Sequence, residues 1–409
     1  MAIRTLPRWF ARPRSASPAS RSSLRVGIPR LLNAWSTHRF WWGFFTGLGI
    51  APGGIVFSSD TSEEQQRQFG KGRGTVDCCY PVKCGSGHLG ELLLGQKRPL
   101  DILFAPMISS LPSFLAGHVV DSLSCPRVMA APENLKAGFV KERDLFAEHG
   151  VRYVSPLVSL GEPALAARQL HRALADALPG LTLEETRRAV DQGYAALEAF
   201  NARIRARGRE VLEWCARGDR PCILVLARPY HMDPGIGHEI EVDLQACGYP
   251  VLWVQYFPLD DDLLGWMFGA DVRGGAMRSV FDIADVWPSS YSANTNEILW
   301  GAKAAARVPW IACVIRLSSY ECGMDQPTYT PVQQIVEASG TLFFSFQDLD
   351  ATKPAGSVKI RVETIAHYLE RSAAAIIARK KAAAAGPCPL LEGRVSGYAP
   401  PPAPAPAAP

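Results

Sequence analysis

CILVLARPYHMDPGIGHEIEVDLQACGYPVLWVQYF, residues 222–257, reads as a single β–α–β unit. CILVLA is a short unbroken apolar run, the signature of a strand buried on both faces. RPYHMDPGIGHE is a turn in which Asp233-Pro234-Gly235 supplies the turn chemistry, and a helix follows as far as Gly248. PVLWVQYF is the next strand. Strands alternating with helices imply a parallel sheet covered on both faces.

The alternation extends both ways. Downstream, WIACVIRL (310–317) and TLFFSF (341–346) are strands, and SVKIRVETIAHYLERSAAAIIARKK is a closing helix. Upstream, LRVGI (24–28), GIVFS and LDILFAP (100–106) are strands, and NAWSTHRFWWGFFTGLG is a helix. CPRVMAAP (125–132) is expected to be another strand, with ENLKAGFVKERDLFAEHG the helix after it. Residues 162–217 are rich in Ala, Leu, Arg and Glu, and Thr182-x-x-Glu185 opens one long helix there. The expected fold class is therefore α/β. A disordered basic tail covers 1–23, a first α/β domain 24–161, a helical linker segment 162–218, a second α/β domain with its closing helix 219–372, and a helix end with an Ala/Pro-rich tail 373–409.

The chain of 409 residues is too long for one ordinary domain and fits two plus tails. Its net charge is +4, but Arg4, Arg8, Arg12, Arg14, Arg21 and Arg25 stand in an acid-free start; without them the remainder carries −2. That balance gives no electrostatic footprint for nucleic acid. The start lacks the apolar core of a signal peptide and is read as a tail rather than a transit peptide. The uncharged run Phe40–Phe57 has the length of a membrane span, yet its glycines and proline favour a helix, a loop and a buried strand, so no membrane is expected. The chain is expected to be cytoplasmic, with its ten cysteines as free thiols or metal ligands.

DCCYPVKCGSGHLG, residues 77–90, holds the densest chemistry. Its G-x-G-x-x-G does not follow directly on a strand, and no P-loop occurs anywhere, so a nucleotide loop is disfavoured. Cys79, Cys84 and His88 have a loose zinc-like spacing, with no second C-x-x-C pair to complete a tetrahedron. Cys79, Cys125 and Cys322 instead share a position: each lies in a loop at a strand-to-helix junction, where parallel sheets build their sites. Three thiols from separate loops suit an iron–sulfur cluster. Cys215, Cys222, Cys247 and Cys313 fall inside helices or strands and read as buried structural thiols, and Cys388 lies in the tail. Tyr230, His231, Asp233, His238 and Glu239 line a cleft or form a capped turn. Ser289, Ser290, Tyr291 and Asn294 donate hydrogen bonds to a cofactor or cap a helix.

VGIPRLLN, CYPVKCGSGH, the loop with SCP, RPYHMDPGIGHEI, SSYSANTNEILWGAK and SSYECGMD, in this order, resemble the family related to 2-hydroxyacyl-CoA dehydratases. The closer likeness is to acyl-CoA dehydratase activase-related proteins and double-cubane-cluster reductases, over roughly residues 24–372. The resemblance implies two Rossmann-like domains holding an oxygen-sensitive cluster, 4Fe–4S or double-cubane, in the cleft between them. It implies Cys79 and Cys125 as first-domain ligands and Cys322 as the second-domain ligand, with Cys78 and Cys84 as additional candidates. It also implies an activator ATPase of the actin/hexokinase type, a small-molecule substrate of the acyl-CoA class, and a homo- or heterodimer. The glycines of 85–90 would then let the backbone pass close to a bulky cofactor. The leading expectation is an iron–sulfur electron-transfer protein or ATP-dependent reductase. A non-catalytic partner of an activator ATPase and a zinc-stabilised two-lobed ligand-binding protein are the alternatives.

Overall fold

The computed structural model describes residues 18–74, 78–350, 355–384 and 386–392; the stretches 1–17 and 393–409 of the two expected tails lie outside them. The strands are β1 (Val26–Ile28), β2 (Ile55–Phe57), β3 (Ile102–Phe104), β4 (Met107–Ser110), β5 (Arg152–Val154), β6 (Leu157–Ser159), β7 (Cys222–Leu226), β8 (Val251–Trp253), β9 (Ile311–Ser319) and β10 (Leu342–Leu349). They form two four-stranded sheets, β2-β1-β3-β5 and β8-β7-β9-β10, and a two-stranded sheet β4-β6. All of the pairings are parallel, so the α/β class holds.

The two larger sheets have the same order: each runs second, first, third, fourth in terms of its own strands. β7 and β9 are buried along their whole length, as their unbroken apolar runs require. In the first sheet Pro106 and Pro156 interrupt adjacent strands, since proline has no N–H to give the ladder. The pairing resumes beyond them, with Met107 N donating to Pro156 O at 2.8 Å.

CPRVMAAP is not a strand. Pro126–Val140 is one helix, with Cys125 extended at its N-cap and Pro126 in the first turn. Val128, Ala131, Leu135 and Phe139 recur at helical spacing and are buried. Pro132 lies inside this helix, and treating it as a break is what divides the stretch wrongly.

The segment between the sheets is a shared wall. Its long helix runs Leu183–Arg217, and the Thr182 hydroxyl accepts from Glu185 N at 3.1 Å, as its cap motif requires. Ala189, Val190 and Leu197 pack into the first core, and Val211, Leu212 and Cys215 into the second. The closing helix Ala355–Ala383 covers the second sheet, and beyond it Cys388 and Leu390 are buried in that core rather than belonging to a loose tail. The apolar run at Phe40–Phe57 becomes the end of helix Ala34–Gly47, a turn and β2, with Phe40, Trp41, Phe44 and Phe45 fully buried. Among the described residues no helix is long and apolar enough to cross a membrane.

Candidate functional site

In the second sheet β7 lies between β8 and β9, so the chain leaves its carboxyl end where the strand order reverses. Such a switch point opens a crevice between neighbouring loops. Here the loop after β7 supplies Arg228, Tyr230 and His231, and the turn after β9 supplies Cys322 and Asp325.

Three sequence-predicted thiols come together at this crevice. Cys79 is the N-cap of a short helix, Tyr80–Lys83; Cys125 caps helix Pro126–Val140; Cys322 follows β9. Cys79 and Cys322 are buried and Cys125 is half-buried. Burial pushes the Cys79 thiol up to about 11, and the neighbouring thiols Cys322, Cys78 and Cys125 add to the shift. Burial also raises Cys322, with Asp325 adding and Arg228 opposing. Arg127, two residues past Cys125, lies against Cys79 and Cys78 and donates to Glu321 O at 3.0 Å. Among the described residues no three His, Cys, Asp or Glu side chains are grouped to hold one metal ion. A multi-iron cluster spreads its thiolates over separate irons and does not need that grouping.

Beside Cys322 is a buried charge cluster. Arg228 binds Asp325 through two contacts, Nη2 to Oδ1 at 2.9 Å and Nε to Oδ2 at 3.0 Å. Arg316 Nη2 is 3.4 Å from the same carboxylate, whose Oδ2 also accepts from Cys322 Sγ at 3.5 Å. Arg228, Arg316 and Asp325 are all at most 1% exposed. Burial alone would raise the Asp325 carboxyl, but the two guanidiniums hold it well below the usual range. Two cations against one anion leave one positive charge in excess within this cluster.

His231 does not change that balance. Burial lowers it to about 3, and its nitrogens face Arg228 O at 3.2 Å and Ser319 Oγ at 3.1 Å. It is a neutral packing residue here. Tyr230 is buried beside Cys322 and Cys79. Asp233 caps the turn at Gly235 N and reaches the other domain, accepting from Thr61 N with both oxygens at 3.2 Å. Tyr80 OH donates to Gly235 O at 2.9 Å, and His238 stacks on the Tyr80 ring. His238 and Glu239 both have left-handed backbones, with φ of 55° and 53°. The loop is thus both a capped turn and a domain contact. Leu123, two residues before Cys125, is likewise clamped to the second domain, its N–H donating to Tyr291 O at 2.8 Å.

Other expectations change. Both nitrogens of His88 are engaged, by Ser58 Oγ at 2.8 Å and Thr61 Oγ1 at 2.9 Å, and the ring is fully buried, so it does not complete a zinc set with Cys79 and Cys84. Burial pushes Cys84 up to about 12 beside the Tyr80 hydroxyl. The glycines make room for side chains and backbone rather than a cofactor: a Cβ on Gly85 would meet Leu135 at 2.4 Å, and one on Gly90 the Phe69 carbonyl at 2.4 Å. Cys247, expected to be buried, is exposed at the end of helix Ile240–Ala246. Ser289 is exposed, Ser290 bonds to Asn296, and Asn294 accepts from Asn33 Nδ2 at 3.1 Å across the domains.

Sequence reasoning missed Arg228, Arg316, Asp325 and Arg127. A signal for Arg316 was present, as a charge inside an apolar strand has to find a buried partner. Asp325 sat unremarked three residues after Cys322.

No curated protein matches the chain. The family model described as the CoA enzyme activase uncharacterised domain matches residues 25–257, from the start of β1 through the turn after β8. This covers more than half of the sequence, and the chain belongs to that CoA enzyme activase family.

Proposed function

We propose that the chain is an iron–sulfur electron-transfer protein. It takes a low-potential electron from an ATP-hydrolysing activator of the actin/hexokinase type and delivers it to a small molecule of the acyl-CoA class. The family's link to CoA enzyme activation supports the reaction context. The observation that carries the cofactor is the meeting of Cys79, Cys125 and Cys322 beside a buried excess positive charge.

When bound, such a cluster supplies one-electron chemistry at a potential set by net charge, hydrogen bonds and exposure. The thiols present fit it. Burial makes Cys79 and Cys322 costly to ionise alone, and an anionic group is what the unpaired charge of Arg228 and Arg316 calls for. Cys79, Cys125 and Cys322 would hold it. Cys78 adjoins Cys79 and Arg127 and is the better placed of the two extra cysteines. Burial raises the Cys84 thiol, which keeps it protonated. Arg127 ties the Cys125 helix to the Cys322 turn and would close the site on its exposed side.

The test is anaerobic purification with iron and sulfide analysis. The expected result is a brown protein with about four iron per cluster. Cys79→Ala, Cys125→Ala and Cys322→Ala should each lose iron, while Cys313→Ala and Cys247→Ala should not. A colourless, iron-free protein, or equal loss from all five variants, would refute the proposal.

A further inference from the structure

A second cavity of about 170 Å³ lies between the domains. It shares Pro229 and Met232 with the turn after β7, and among the described residues no cysteine lines it. Its walls are aromatic: Trp35, Phe114, Phe200 and Tyr256. Polar side chains share the lining with them, and three bear on a ligand: Arg205 from the middle of the long helix, Gln255 after β8, and Glu297 from helix Ala293–Arg307.

Two of these carry a buried polar atom with no partner among the described residues, Arg205 Nε and Gln255 Oε1. The Gln255 amide is oriented by Nε2 donating to Ala227 O at 2.7 Å, which leaves Oε1 as a free acceptor. The Arg205 guanidinium lies 5.4 Å from the Phe114 ring centre, and burial lowers its pKa, with Glu297 opposing through space. Glu297 is buried, and its oxygens accept from Ser113 Oγ at 3.0 Å and Asn294 Nδ2 at 3.3 Å. Each carboxylate oxygen can accept again. Among the described residues these three offer one cation without an ion-pair contact, one anion with acceptor capacity to spare and one free amide oxygen, set beside flat aromatic walls.

We infer that this cavity binds a small zwitterion, an α-amino acid with an apolar side chain. Its carboxylate pairs with Arg205, its ammonium donates to Gln255 Oε1 and Glu297, and its side chain packs against the aromatic walls. A purely apolar ligand would leave the Arg205 and Gln255 atoms unpaired, and unpaired buried groups penalise binding. A simple carboxylate would satisfy Arg205 but waste both acceptors. The inference is independent of the cluster, because no cysteine takes part.

Calorimetric titration of the full chain with L-phenylalanine tests it, alongside 3-phenylpropionate, which lacks the ammonium, and 2-phenylethylamine, which lacks the carboxylate. L-phenylalanine should bind, and each truncated probe should bind at least about tenfold more weakly. Arg205→Gln should weaken L-phenylalanine similarly while circular dichroism stays unchanged. Cys79→Ala should bind as the parent does, which separates this site from the iron chemistry. No saturable heat from L-phenylalanine, equal binding of all three probes, or an unaffected Arg205→Gln variant would overturn the inference. Should Arg205→Gln fail to fold, Gln255→Leu decides: undiminished L-phenylalanine binding there overturns it as well.

Discussion

Asp325 is the sole anion between two buried guanidiniums in its cluster, and Asp325→Asn is the most informative single change. The variant keeps the side-chain shape and removes the charge. The excess buried positive charge of the cluster rises from one to two, and one Arg228 hydrogen bond faces an amide donor. Breaking a buried pair in this way costs about 3–5 kcal/mol. At about 2–4 °C per kcal/mol for domains of this size, the melting temperature should fall by roughly 10 °C. Asp325→Asn combined with Arg316→Met returns the excess to one and should recover at least about 1 kcal/mol of the loss. A second readout is the Cys322 thiol, which is raised first by burial and then by Asp325. In iron-free protein, losing the carboxylate should speed alkylation of Cys322 by iodoacetamide. Fully buried Cys313 serves as the marker for unfolding. A loss under about 0.5 kcal/mol, the range of surface substitutions, would refute the buried-charge argument. A double variant no more stable than Asp325→Asn would refute it too.

Other expectations follow from single features. Burial lowers Lys380 to about 7, where its Nζ donates to Ala305 O, Ile311 O and Thr341 Oγ1. Above pH 7 the unfolded chain holds a proton the folded chain releases, so stability should rise with pH, by up to about 1.4 kcal/mol per unit. Urea melts of the parent against Lys380→Met between pH 7 and 8.5 measure this; parallel curves would contradict it. Gly90→Ala places a methyl 2.4 Å from the Phe69 carbonyl and should cost about 1–3 kcal/mol in the same assay. Burial lowers both His88 and His231 to about 3, so below about pH 6.5 the unfolded state takes protons the folded one refuses. Stability should therefore fall as pH drops from 6.5 toward 3, and His231→Gln should flatten part of that fall.

Within 222–257 the first strand carried through because β7 is covered on both faces and a doubly buried strand announces itself as a run, while PVLWVQYF keeps only Val251–Trp253 as strand before a 3-10 turn, Val254–Tyr256. The Thr182 cap is equally local, and it too was readable. The helix after Cys125 was not, because eight residues are too few to separate a buried helix from a strand and Pro132 suggested a break. The thiols could be listed from their loops, but their charged surroundings could not. Arg228 and Asp325 are 97 positions apart and meet only through the sheet order. The cavity near Arg205 is likewise invisible in the sequence, because its lining comes from six separate segments and its chemistry lies in what is left unpaired.

The helix Leu183–Arg217 also governs how the molecule comes apart. It contributes Leu197 to one core and Leu212 to the other, with no flexible joint between them. A gene fragment ending before the helix strips a wall from the first lobe, and one starting after it strips the second. Neither lobe should survive as an independent fragment, and a protease should find no soft seam to cut. Heat or denaturant should instead take both lobes down in one cooperative step, with the helix acting as the common spine whose fraying ends the structure on both sides.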